Sequence, residues 1–196
     1  MNNYEYIIAS LPVLVQGDGS KPDTAALLEE IRPQLSEKDC ATLDLLLEGF
    51  DSSKLDAAFY RKAAASHSRF VREFFAFDLE LRNAKVRWLN RSLGRDSELD
   101  TLTLGEEPGE FAEAAEAEAV LESDDILGRE KGLDGLMWKK AEEICLMEVL
   151  SFDLILSFAA KLMIVDRWLR LDEQTGRALF RRLLAEIKET KTKDNI

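Results

Sequence analysis

Residues 66–93, SHSRFVREFFAFDLELRNAKVRWLNRSL, decide the fold. Phe70, Phe74, Phe77, Leu81, Ala84 and Trp88 step by 4, 3, 4, 3 and 4, the spacing of one face of an α-helix. A second row, Val71, Phe75, Leu79, Val86, Leu89 and Leu93, widens that face. At a rise of 1.5 Å per residue the stretch predicts a rod about 40 Å long. Gly94 stands where a left-handed residue closes a helix.

Upstream, the signals are those of short helices. Tyr4 to Val15 is apolar and ends near Gln16-Gly17-Asp18-Gly19-Ser20, a turn signal; its pattern fits either a short strand or a short helix. Asp23-Thr24 caps a helix carrying Leu27, Leu28 and Ile31, stopped by Pro33. Ser36-x-x-Asp39 opens the next, with Cys40, Leu43, Leu46 and Leu47 on it and Gly49 at its end. Asp51-Ser52-Ser53 is expected to cap a third, carrying Leu55, Ala58 and Phe59.

Downstream, the character changes. From Glu106 to Asp125 there are nine acids and no base, interleaved with alanines that favour a helix but offer little apolar area. The stretch reads as a solvated helix or a mobile arm, a hinge over residues 96–129 between a helical unit at 1–95 and another at 130–196. The second unit is expected to hold a second continuous rod, from Glu130 to Leu169. Trp138, Ala141, Cys145, Val149, Phe152, Leu156, Ala159 and Met163 keep a helical step along it, and Ile155, Phe158, Leu162, Val165 and Leu169 form another stripe. A last helix from Asp172-Glu173 through Leu179, Phe180, Leu183, Leu184 and Ile187 frays through Lys188, Lys191 and Lys193. The expectation is an all-α protein with two long helices and several shorter ones packed as hairpin units. A short extended N-terminal segment remains open.

Composition agrees and narrows function. Of 196 residues, 46% are hydrophobic and 33% charged, with 4 Pro and 10 Gly: enough apolar surface for a core, few breakers. A net charge of −12 repels phosphate backbones and anionic membrane surfaces, which argues against nucleic-acid partners. Cys40 and Cys145 lie on apolar stripes with no Cys-x-x-Cys, so they read as free buried thiols in a reducing cytoplasm. The greasiest window, 144–169, carries Glu148, Asp153, Lys161, Asp166 and Arg167, so no membrane span is expected.

Catalytic chemistry finds no support. The single histidine, His67, reads as a partly exposed residue at the start of the first rod. It cannot supply the paired Glu-x-x-His ligands of a bundle metal site. No phosphate-cradling glycine motif occurs, and no cofactor is implied. Surfaces remain. Arg82, Lys85, Arg87, Arg91 and Arg95 form one basic run, and Lys161, Arg167, Arg170, Arg177, Arg181 and Arg182 another. Either they pair with nearby acids, Asp78 with Arg82 and Asp166 with Arg170 at i,i+4, or they form docking patches.

Three stretches together resemble a known family. They are Tyr4-x-Tyr6-Ile7-Ile8-Ala9-Ser10-Leu11-Pro12; Phe77-Asp78-Leu79-x-Leu81-Arg82-Asn83 with Arg87 and Leu93-Gly94-Arg95-Asp96; and Glu130-x-x-x-Leu133-Asp134-x-Leu136-x-Trp138 with Phe152-Asp153-Leu154-Ile155-Leu156 and Arg167-Trp168-x-x-Leu171-Asp172. The pattern resembles bacterial proteins encoded with V/A-type ATPases and related to the C/d component of the central stalk. The resemblance implies a non-enzymatic, all-α part built of helical units. Its partners would be the central shaft and the membrane rotor ring, and it would sit at the cytoplasmic membrane through that complex. Carried over by position, Asn83, Arg87, Arg91, Arg167 and Trp168 become candidates for protein contact. Trp168 otherwise reads as core packing, and Asn83 as a side chain bonding nearby backbone. The alternative function is a free-standing acidic adaptor or regulator that binds a basic protein through residues 106–125.

Overall fold

A computed structural model describes residues 4–17, 21–105 and 111–170. Among them every regular element is helical: α1 (Glu5–Ser10), α2 (Thr24–Ile31), α3 (Glu37–Glu48), α4 (Ala57–Ala64), α5 (Arg69–Ser92), α6 (Ala114–Leu121), α7 (Ile126–Ile144) and α8 (Phe152–Arg170). Short 3₁₀ turns at Arg32–Gln34 and Ser52–Lys54 join the early helices. No helix of the described residues is long and apolar enough to cross a membrane.

The caps explain the boundaries. Asp23 accepts from the Ala26 amide at 3.0 Å, Ser36 from Asp39 at 3.2 Å, and Ser68 from Val71 at 3.2 Å, each satisfying an otherwise orphaned donor. The first apolar stretch resolves into α1 followed by extended residues, so it is helix first and strand nowhere. Asp51 caps the 3₁₀ turn rather than a helix; Asp56 opens α4 through the Phe59 amide at 2.8 Å. At the far end of α5, Gly94 takes φ 65°. Its amide reaches the Arg91 carbonyl at 3.1 Å, while that of Arg95 reaches Asn90 at 2.9 Å. That is the paired closure a left-handed residue allows.

The long rod over 66–93 is found as α5, and it is the hub. It touches α4, α6, α7 and α8. Phe70, Val71 and Phe74 have no exposed surface, and Phe75, Phe77, Leu79 and Leu81 are buried. Rings of Phe59, Phe70, Phe74 and Phe75 meet edge-on or stacked at 4.9–5.4 Å. Gly49 must be glycine here, because a Cβ would stand 2.2 Å from the Phe75 ring. One cluster of buried side chains runs from Tyr4 to Ile164, so the two expected units share a core.

Two expectations need correction. The second rod is not continuous. α7 ends at Ile144, the chain turns through 145–151, and α8 returns antiparallel, with Ser157 Oγ donating to the Ala141 carbonyl at 2.9 Å. Val149, placed on the seam by its spacing, is 82% exposed. The two half-seams face each other across a hairpin, which preserves the periodicity without a straight rod. Nor do the like charges of the arm keep it from packing. α6 is largely solvated, yet it buries Ala117 and Leu121 against α5 and α7. Glu113, Glu116 and Glu118 meet Lys140, Lys139 and Arg91 at 2.6, 3.1 and 2.6 Å, so opposite charges on neighbouring helices offset these three acids of the run. The expected last helix, and Arg177, Arg181 and Arg182 with it, lies outside the described residues.

Candidate functional site

α5 and α7 run antiparallel, from Arg69 donating to the Ile144 carbonyl at 2.7 Å to Lys85 paired with Glu130. Where α8 joins them, three elements converge on a cavity of about 460 Å³. Its floor is apolar, built from Phe50, Phe74, Phe75, Leu133, Met137 and Ile164. Its rim is ionic: Arg82, Lys85 and Arg167 against Asp78, Glu130 and Asp134. The helical repeat explains this placement. Arg82 and Lys85 on α5, and Glu130 and Asp134 on α7, are each three or four residues apart and so share one flank of their helix.

The pairing is saturated. Arg167 donates through one Nη to Asp134 at 2.8 Å and through the other to Glu130 at 2.7 Å. Trp168 Nε1 donates to the second Asp134 oxygen at 2.7 Å. Lys131 sits 5.6 Å from the centre of the Trp168 ring. On the other side of the cavity, buried Asp78 accepts from Tyr60 Oη at 2.6 Å and from Arg82 Nε at 2.8 Å. The expected pairs Asp78–Arg82 and Asp166–Arg170, the latter at 2.6 Å, are both present.

Burial and charge tune these groups in opposite directions. Burial holds the Asp134 carboxyl above its usual range, a push that Arg167 and Trp168 only partly offset. Burial acts the same way on Glu130, but hydrogen bonds from Lys85 and Arg167 outweigh it and draw that carboxyl down. Desolvation first and the Asp78 carboxylate second push the Tyr60 phenol well above the ordinary tyrosine range. Desolvation acts against the Arg82 cation, yet Asp78 outweighs it and Arg82 stays charged. With each ionic group committed to a partner, the arrangement fixes helix positions rather than offering a base or nucleophile. Among the described residues no group of three or more His, Cys, Asp and Glu side chains is placed to hold a metal ion.

The five contact candidates all have partners inside the chain. Asn83, buried on α5, both donates to the Leu102 carbonyl and accepts from the Leu102 amide, each at 2.9 Å. Arg87 Nε reaches Glu98 at 3.0 Å, and Arg91 reaches Glu118 at 2.6 Å. Asn83 and Arg87 therefore tie the loop after α5 to its flank. The seven-residue echo of Asn83, Asn90, was not singled out by sequence, yet it is 4% exposed and donates to the Leu99 carbonyl at 2.6 Å. An Asn two turns further along the same helix face was the available signal. Arg167 and Trp168 instead join the ionic seam on Asp134. His67 is exposed, just ahead of the Ser68 cap.

A family model described as a protein of unknown function (DUF2764) matches residues 103–191. The match covers under half of the chain. It takes in α6, α7 and α8, and with them Glu130, Asp134, Arg167 and Trp168, but stops short of α5. No curated protein and no solved structure matches the chain.

Proposed function

We propose that this chain is a non-catalytic part of a bacterial V/A-type ATPase, coupling the central shaft to the membrane rotor ring during proton or sodium transport. The observation that supports the reading best is the seam joining α5, α7 and α8 through Lys85, Glu130, Asp134, Arg167 and Trp168. A part that passes force between neighbours must not bend between them. Charged groups held at fixed positions between packed helices resist sliding, because any slip breaks several bonds at once. In this reading the chain reaches the cytoplasmic face of the membrane by way of the ring, having no span of its own among its described residues. The adaptor alternative draws less support, since three of the nine acids it would use, Glu113, Glu116 and Glu118, pair within the chain.

The test is co-purification of the full chain with tagged central-shaft proteins and, separately, with the rotor ring in detergent. Retention on both at near-equal stoichiometry is the expected result. A chain that passes through both columns overturns the reading.

A further inference from the structure

The second apolar row of α5 changes character along its length. Val71, Phe75 and Leu79 are buried, whereas Leu89 and Leu93 at its far end are 50 and 56% exposed. Across from them, Ile126 and Leu127 open α7 at 74 and 53% exposed. The Lys85–Glu130 pair and the Arg129 guanidinium over the Trp88 ring fix the antiparallel register, which sets Leu89 level with Ile126. The four side chains leave roughly 400 Å² of apolar surface in water, the scale of the greatest apolar patch on an ordinary monomer.

Chain connectivity decides what fits it, because α8 points at this end. Arg167 reaches Glu130 and Asp134, and Lys131 sits on the Trp168 ring, so Arg170 stands level with the first turns of α7. Residues 171–196 lie outside the described residues, and their sequence carries Leu179, Phe180, Leu183, Leu184 and Ile187 at the spacing of one helical face. Leu179 follows Arg170 by nine positions. Such a tether reaches at most about 30 Å, enough to lay the stripe on the patch. It also holds the stripe at a local concentration in the millimolar range, against which a second copy competes poorly. The family match supports the same grouping: it continues past α8 to residue 191, so the unit it describes includes the stripe.

We propose that residues 179–187 dock within the chain on the apolar end of the α5–α7 pair, covering Leu89, Leu93, Ile126 and Leu127 as a further helix of the same core. The proposal does not depend on the ATPase reading. The α7–α8 turn also keeps Leu146, Met147, Val149 and Leu150 in water, the last at φ 57°, a left-handed conformation that does not suit leucine. It is a poorer seat for the stripe, because the tether would have to retrace the roughly 28 Å of α8 at nearly full extension.

The test is hydrogen exchange of the full chain, read by mass spectrometry, for wild type and two pairs of substitutions, Ile126→Ser with Leu127→Ser and Leu89→Ser with Leu93→Ser. All four side chains are exposed, and continued protection at the centres of α5 and α7 checks that the fold persists. Amides of 179–187 are expected to exchange at least about tenfold more slowly in wild type than in a free peptide of that sequence. They are expected to lose at least about tenfold of that protection in a pair whose α5 and α7 centres stay protected. Free-peptide rates in wild type overturn the proposal. So does protection that both pairs leave unchanged, because the stripe then sits elsewhere. Protection that falls on dilution, with a dimer seen in sedimentation, assigns the stripe to a second copy and overturns it as well.

Discussion

The two ends of the α7–α8 hairpin are built on opposite principles. At one end Glu130, Asp134, Arg167 and Trp168 satisfy one another between helices, and Lys85 of α5 closes the set. At the other, seven residues make the turn and leave four large apolar side chains in water. The first end accepts a desolvation cost at buried Asp134 and holds half-exposed Arg167 and Lys85 in place against the acids of α7. The second gives up burial and accepts backbone strain. Mutual satisfaction at one end and exposure at the other is the division this difference teaches, and substitutions should separate the two.

The largest effect belongs to the ionic end. Asp134→Ala leaves the Trp168 N–H without its acceptor and Arg167 with Glu130 alone, and is expected to cost about 2 kcal/mol, read by urea denaturation. Asp134→Asn keeps one acceptor and should cost about half as much. Next comes acid. The folded-state pKa of Glu130 lies below its ordinary 4.5, so its contribution is present above that value and is lost as pH falls through the lowered one. Asp134 has the opposite sign. Its folded pKa is raised above 3.8, so its contribution is full below 3.8 and is lost as pH rises through the raised value. The two offset each other in the wild type. Stability of Asp134→Asn should therefore fall more steeply on acidification than wild type, and a parallel profile would remove the opposed-titration account.

Smaller effects belong to the turn. Burial first, and the Asp153 carboxylate next, push the Cys145 thiol up to about 11, and its Sγ donates to the Asp153 carbonyl at 3.3 Å. Cys145 should resist alkylation by iodoacetamide at neutral pH until the chain is denatured, as mass mapping of the two cysteines will show. Leu150→Gly should stabilise by up to about 1 kcal/mol by relieving the left-handed strain. The triple serine variant of Leu146, Met147 and Val149 should change stability by less than about 0.5 kcal/mol. A loss of several kcal/mol there would show the turn to be structural and collapse the contrast between the two ends.

Much of this was legible in the sequence, and unevenly so. The seam of α5 could be read because its phenylalanines repeat at helical spacing and each falls in the core. The caps Asp23 and Ser36 could be read because their chemistry is local. The break at 145–151 could not. No Gly or Pro marks it, and the helical step of the apolar residues carries straight through the turn, with Leu150 accepting the conformation a breaker would usually take. The pairs that define the candidate site were hidden for another reason. Asp78–Arg82 is an i,i+4 contact and follows from spacing, whereas Arg167 finds Asp134 only because the chain reverses between them. The acidic run misled because its partners, Arg91, Lys139 and Lys140, lie on other helices.

Force can pass through the molecule only if α5, α7 and α8 behave as one stiff body across both halves of the chain. Native-state hydrogen exchange tests that most directly. Amides at the centres of these three helices should exchange through one common opening whose free energy equals that of global unfolding. Exchange of 111–170 through a separate, lower-energy opening while α5 stays protected would contradict it, leaving two units joined by a hinge.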